Sequence, residues 1–137
     1  MRLLRATQVV CLGICINLRI AHTFQDERPK IVRFEDMRYP LAARVQHVQG
    51  VVVVKVDVDA GGVVTAATVL SGPRELVPES LKNAQKWRFA PKSPGSLPIV
   101  YEFRIEGLCN NPCPSHFIVF PPNLAVITIG EAVIDHY

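Results

Sequence analysis

The sequence has no run of about 20 apolar residues, the length a bilayer-crossing helix needs. Its N-terminal apolar stretch, Val9-Val10-Cys11-Leu12-Gly13-Ile14-Cys15-Ile16, is roughly half that and is closed by Asn17 and Arg19. There is no glycine-rich phosphate loop, no nucleophile elbow and no metal-binding helix motif. Internal repeats and low-complexity tracts are absent as well. Nor does one sign of charge dominate. The chain has 15 Lys and Arg against 12 Asp and Glu, and Arg2, Arg5 and Arg19 precede Phe24 with no acid among them. Beyond residue 23 the formal charges cancel, so the basic excess is no argument for nucleic-acid binding. At 137 residues, 49% of them hydrophobic, the chain has enough material for one packed domain and not for two.

What is present at the N-terminus is a positive start at Arg2 and Arg5, a short apolar centre and a polar exit. That layout predicts a secretory signal over residues 1–23, cleaved after Thr23 in Ala21-His22-Thr23. An ordinary buried helix, a short tilted anchor in the inner membrane facing the periplasm and a lipid anchor on Cys15 are the other readings. Residues 24–37 are charged and aperiodic and read as a linker.

The domain proper is expected over residues 38–107. Tyr39-Pro40 opens a short helix, since proline suits a first helical turn. Leu41, Val45 and Val48 follow at helical spacing, and Gly50 ends it. Val51 to Asp59 alternates with period two, with Val52, Val54, Val56 and Val58 on one face. Ala60-Gly61-Gly62 makes the turn, and Val63 to Leu70 returns with a phase slip that predicts a bulge near Thr65. A second helix runs from Pro78 past Leu81 and Ala84 to Trp87, stopped by Phe89-Ala90-Pro91. Ile99 to Ile105 is a third strand. Pro98 cannot donate a ladder bond, which predicts a sheet edge there, unless His116–Phe120 folds back onto that edge and makes the chain a closed scaffold. Residues 108–137 form an extension in which His116–Phe120 and Leu124–Ile129 are candidates for a hairpin.

The order of these features is similar to that of the TonB C-terminal domain: Tyr39-Pro40, a valine strand led by Gly50, Asp59-Ala60-Gly61-Gly62, Leu70-Ser71, Leu81-Lys82-Asn83-Ala84, Trp87-Arg88-Phe89-Ala90-Pro91 and a closing strand to Ile105. The resemblance spans about Arg38 to Gly107. It implies an α+β fold of αββαβ order, a small antiparallel sheet on two helices, in the periplasm or secreted. It also implies a protein-binding role, in which a segment of an outer-membrane transporter adds as a strand to Ile99, Val100, Tyr101, Glu102, Phe103, Arg104 and Ile105, near Arg38, Tyr39 and Pro40. Arg38 stands where the family often has glutamine. A transmembrane anchor bearing polar residues and a long proline-rich spacer are not recognised, so inner-membrane motor proteins are not expected partners. The grip would serve energy-coupled transport; the alternative is a secreted self-associating or scaffolding domain without energy transduction, such as a homodimer through paired edge strands.

The remaining chemistry-bearing residues have ordinary explanations. Cys109 and Cys113 are expected to form a disulfide in an oxidising compartment. Free thiols are the second reading, and a metal site with His116 the third, for want of a fourth ligand. Asp57 and Asp59 share a strand face with no base or nucleophile opposed to them, which fits a solvated face. Trp87 is expected in the core. No enzyme activity, cofactor or metal is expected.

Overall fold

The computed structural model describes residues 28–133. The expected signal sequence and the start of the linker lie outside them. Nine elements follow in order: β1 (Ile31–Arg33), α1 (Leu41–Val45), β2 (Gly50–Val58), β3 (Val64–Ser71), α2 (Val77–Gln85), β4 (Arg88–Phe89), β5 (Gly95–Cys109), β6 (Ser115–Phe120) and β7 (Leu124–Ala132). Five strands form one sheet in the order β3-β2-β5-β7-β6, and β1 pairs with β4 in a separate two-stranded ribbon. This is a mixed α+β fold with a sheet and two helices.

β2 forms as its pattern requires. Val52, Val54, Val56 and Val58 face the core, and the residues between them face outward. Its turn into β3 is closed by Asp59, whose Oδ1 accepts the amides of Gly61 and Val63, each at 2.9 Å. Gly62 completes the turn at φ 81°, where a Cβ would lie 1.9 Å from the Phe89 carbonyl oxygen. Thr65 falls in a register shift between Asp57↔Ala66 and Val58↔Val64, as its phase slip predicts. A second shift, at Leu70, lies between Val53↔Ser71 and Val54↔Val69.

α2 begins with Pro78 in its first turn and buries Ser80, Asn83 and Ala84. It ends at Gln85, two residues before Trp87. The chain leaves in extended form as β4, so Trp87 reaches the core from a strand entry rather than a helix face. Its ring is fully buried, edge-on to Tyr101 and tilted against Phe89 and Phe34. Asn83 organises this centre. Its Oδ1 accepts from Trp87 Nε1 at 2.8 Å and from Tyr101 Oη at 3.0 Å, while its Nδ2 donates to the Glu35 carbonyl at 2.8 Å. Every buried side-chain polar atom among the described residues has a partner.

Four expectations need correction. First, α1 is shorter than predicted. It ends at Val45 rather than Gly50, buries Ala43, and leaves Leu41 and Val45 exposed. Tyr39 is what anchors this region: its hydroxyl donates to the Val48 carbonyl at 2.7 Å, and its ring packs edge-on to Phe103. Second, residues 31–33 of the expected linker pair with β4, and the Ala90 amide donates to the Lys30 carbonyl at 2.8 Å. Third, the strand containing Ile99–Ile105 is not an edge strand. β5 runs for 15 residues and lies between β2 and β7. Fourth, the sheet is mixed rather than antiparallel, because β7 pairs parallel with β5 from Val100↔Leu124 to Cys109↔Ala132. The residues beyond Gly107 are therefore part of this sheet and its core: Ala125, Ile127 and Ile129 are as deeply buried as the β2 valines.

Candidate functional site

Strand addition needs backbone donors and acceptors that have no partner, so the direction of each amide decides where it can occur. The Val100 amide donates to the Asn123 carbonyl at 2.8 Å, so the polar backbone groups of Val100 face β7. By strand alternation those of Glu102 and Arg104 do too, while Ile99, Tyr101, Phe103 and Ile105 face β2. The expected binding strand thus has both sides occupied. Pro98 faces the β7 side just before β7 begins, and its carbonyl accepts from Asn123 Nδ2 at 2.8 Å. Its missing N–H falls where no ladder bond is called for. That is why proline is tolerated in an interior strand.

On the outer face of β5, Glu102 and Arg104 engage each other. Arg104 Nη2 lies 2.7 Å from Glu102 Oε1, and Arg104 Nη1 lies 3.6 Å from Glu106. The hydrogen bond to Glu102, and then its charge, push the Arg104 guanidinium above its ordinary pKa. An exposed pair of this kind adds little stability.

The same alternation carries outward. Leu124, Val126 and Thr128 turn their backbone groups to β6, where they meet Phe120, Ile118 and His116 in antiparallel register. The backbone groups of Ser115, Phe117 and Val119 therefore point away from the sheet, along an edge that no described strand covers. β6 reads Ser-His-Phe-Ile-Val-Phe, with no formal charge at neutral histidine and no register shift against β7. Ile118 and Phe120 stand 53% and 49% exposed on the open face of the sheet. On the core side Phe117 packs against Phe34 at 5.9 Å.

One end of this edge enters a groove of about 870 Å³ lined by Arg38, Tyr39, Pro40, Leu41, Arg44, Glu75, Glu79 and the Pro112–Ser115 segment among others. The Tyr39 amide donates to Ser115 Oγ at 2.9 Å, which ties the Arg38-Tyr39-Pro40 segment to the first residue of β6. Burial pushes the Tyr39 phenol up to about 12, so it stays protonated and keeps its bond to Val48 at neutral pH. Glu75 is matched by Arg74 at 3.1 Å and Glu79 by Lys82 at 3.1 Å. The Glu75 carboxyl is held below its ordinary pKa, first by a backbone hydrogen bond and then by Arg74. Arg38 and Arg44 make no ion pair with a described residue.

Cys109 and Cys113 are joined in a disulfide that ties the end of β5 to the approach to β6. Cys109 packs directly over Gly130 of β7, where a Cβ would stand 2.7 Å from its Sγ. Among the described residues no cluster of three or more His, Cys, Asp or Glu is arranged to hold a metal ion. None of their helices is long and apolar enough to cross a membrane.

Of the residues expected to bind a partner, Arg38, Tyr39 and Pro40 line the groove at the Ser115 end of β6, with Tyr39 and Pro40 themselves buried. Sequence reasoning put the free edge at Ile99–Ile105, whereas among the described residues the uncovered edge beyond β7 is that of β6. The available signals were the apolar alternation of Leu124–Ile129, which marks a strand that needs a neighbour, and the charge-free aromatic run at Ser115–Phe120. The family model described as Gram-negative bacterial TonB protein C-terminal matches residues 35–106. No curated protein matches the chain.

Proposed function

The chain belongs to the TonB C-terminal family, and from that premise we propose that it is an extracytoplasmic gripping module that holds an extended segment of an outer-membrane transporter by strand addition along β6. TonB C-terminal domains are periplasmic, non-enzymatic protein-interaction domains that engage outer-membrane TonB-dependent transporters. The observation that carries the reading is the edge of β6, which no described strand covers and where the backbone groups of Ser115, Phe117 and Val119 point outward. A partner strand there gains main-chain hydrogen bonds from this row and side-chain contacts from Phe117 and Val119 on one face and Ile118 and Phe120 on the other. Arg38, Tyr39 and Pro40 flank its path. Ile99–Ile105 contribute indirectly, as the strand that registers β7 and, through it, β6.

Addition to β5 itself is disfavoured by what it must displace. Expelling β7 uncovers Ala125, Ile127 and Ile129, which are essentially fully buried. At about 1.5–3 kcal/mol for each large aliphatic side chain, this exceeds what one short replacement strand readily restores. Export through a signal within residues 1–23 belongs to the same reading, and protein recovered from the periplasm should have the mass of the chain beginning at Phe24.

The test is amide hydrogen exchange with synthetic peptides that copy the periplasm-facing N-terminal segments of outer-membrane TonB-dependent transporters. A bound segment should slow the amides of Phe117 and Val119 while leaving those of β3 unchanged. Tight binding with no protection at Phe117 and Val119 removes β6 as the gripping edge.

A further inference from the structure

The Cys109–Cys113 bridge joins a fixed side to a loose one. Cys109 is seated in the sheet, paired with Ala132 of β7, and its carbonyl accepts the Val133 amide at 3.1 Å. Residues 110–114 make no hydrogen bond with a described residue. Pro112 and Pro114 have no N–H to offer. What holds this segment is the bridge itself and the burial of Cys113, which is 7% exposed. A loop of sequence separation 4 is a weak staple, so the fold does not depend on keeping it closed. The two cysteines also face different spaces. Cys109 is partly exposed and lines a cavity of about 290 Å³ with Glu106, Leu108, His116 and Thr128. Cys113 lies on the wall of the larger groove beside Ser115.

We propose that this bridge is a thiol–disulfide exchange site, opened by a dithiol reductant, and that opening it releases the approach to β6. A thiolate of the dithiol attacks Cys109 Sγ, the more accessible sulfur. The Sγ–Sγ bond breaks, and its electron pair leaves on Cys113 Sγ, which takes up a proton. The second thiol of the reductant then attacks its own sulfur in the mixed disulfide and frees Cys109 as a thiol. The reductant ends as a disulfide, and its two electrons and two protons reside on the two cysteines. The polarity of attack follows from the asymmetry of the bridge. Cys109 is held by the ladder while the mixed disulfide exists, and the leaving sulfur sits on the segment that can move away, which slows its return. With the bridge open, the start of β6 is held by the Ser115↔Ile129 pairing and by the bond from the Tyr39 amide to Ser115 Oγ. The exchange stands independently of partner binding; its effect on capture of a transporter segment rests on the strand-addition reading above.

The test is reduction of the full chain with dithiothreitol under native conditions, followed by alkylation and peptide mapping, which separates Cys109 and Cys113 from Cys11 and Cys15. Both Cys109 and Cys113 should become alkylated without denaturant, and the thermal melt of the reduced chain should remain cooperative. Amide exchange in the reduced chain should be about tenfold faster at His116 and Ile118 and unchanged at Val54 and Val56. Glutathione in place of dithiothreitol, quenched early in acid, should be found on Cys109. A bridge that opens only in denaturant, a cooperative melt lost together with the bridge, or unchanged exchange at His116 and Ile118 overturns the proposal. Glutathione found on Cys113 overturns the assigned point of attack. Capture of a transporter peptide should be about threefold to tenfold weaker in the reduced chain, because an unpinned β6 must be ordered again on binding. Unchanged capture with faster exchange along β6 would count against strand addition there and leave the exchange site standing.

Discussion

The two outer strands of the sheet, β3 and β6, face the same hazard and handle it differently. β3 is broken by register shifts at Thr65 and Leu70, so only Ala66 to Val69 run regularly between them. Its start is closed by a bridge from Val63 to Arg88 and by the Phe89 amide, which donates to the Gly62 carbonyl at 2.9 Å. Its side chains are mostly Ala, Thr and Ser. β6 has no register shift, and only its first residue is tied to a neighbouring segment, through the Tyr39 amide and Ser115 Oγ. It is regular along its whole length, and it carries two phenylalanines, an isoleucine and a valine. Bulges and covered ends are how sheets avoid unwanted pairing. Among the described residues the β3 edge is guarded and the β6 edge is not, and the proposed strand addition at β6 rests on that contrast. β7 extends the comparison inward: it closes the edge of β5 with buried aliphatic side chains and hands the free edge to β6.

That comparison can be broken at its base by testing whether the C-terminal strands are integral. Trp87→Ala, at the centre of the part matched by the family, should cost roughly 3–5 kcal/mol. Ile127→Ala in β7, equally buried, should cost about 2–5 kcal/mol, measured by denaturant unfolding. If Ile127→Ala leaves the midpoint unchanged, β7 is an appendage and the edge of β5 is open after all. Asn83→Ala comes next. It strands the Trp87 indole N–H and the Tyr101 hydroxyl in the core, at about 1–3 kcal/mol for each unsatisfied group, and should lower the melting temperature by several degrees.

The disulfide should matter less. Cys109→Ser/Cys113→Ser opens a loop of sequence separation 4, so the loss should lie at or below the low end of the usual ~2–4 kcal/mol. Its larger effect should be faster amide exchange at His116 and Ile118, whose amides face β7, because the bridge fixes the approach to β6.

Alkaline titration sharpens the link between Tyr39 and the start of β6. The folded pKa of Tyr39 is raised from 10.0 to about 12 by burial, and Tyr101 is raised by the same cause. A group raised on folding contributes stability that is complete below its unfolded pKa and is lost as pH rises through the folded one. Stability should hold to about pH 10 and fall between about pH 10 and 12, with Tyr39→Phe shrinking the loss. A flat profile across that window would show that the phenol is not desolvated.

The smallest stability effects should separate the two edges most directly. Lysine at Ile118 on β6 and at Thr68 on β3 should each change stability by about 0.5 kcal/mol or less, since both side chains stand on the open face. Peptide capture should suffer only from Ile118→Lys. Equal loss from both substitutions would remove the distinction between the edges.

How much of this was legible in the sequence varies by element. The β2 valines, the Asp59–Gly62 turn and the slip at Thr65 were readable because each depends on neighbours within a few residues: side-chain alternation, an Asx hydrogen bond, a residue out of phase. Tyr39-Pro40 and the Trp87 region were readable through family resemblance. The role of Asn83 was not, since its partners Glu35 and Tyr101 lie 48 and 18 residues away. Pro98 misled for an instructive reason. A proline does mark a missing ladder bond, but the gap lies beyond the end of β7, not along an open edge.

The sequence by itself determined the buried valine face of β2, the turn at Ala60–Gly62, the slip at Thr65, and that Cys109 and Cys113 are close enough to join. All of these are set by local periodicity and chain separation. Only the tertiary structure decided the order of strands in the sheet. Leu124–Ala132 has the same apolar alternation whether it lies beside β5 or elsewhere. Its parallel seat on Val100–Cys109 comes from the core space that Ala125, Ile127 and Ile129 fill and from the backbone groups of β5 that would otherwise lack partners. That long-range choice, made by burial and hydrogen-bond satisfaction together, moves the exposed edge from Ile99–Ile105 to Ser115–Phe120.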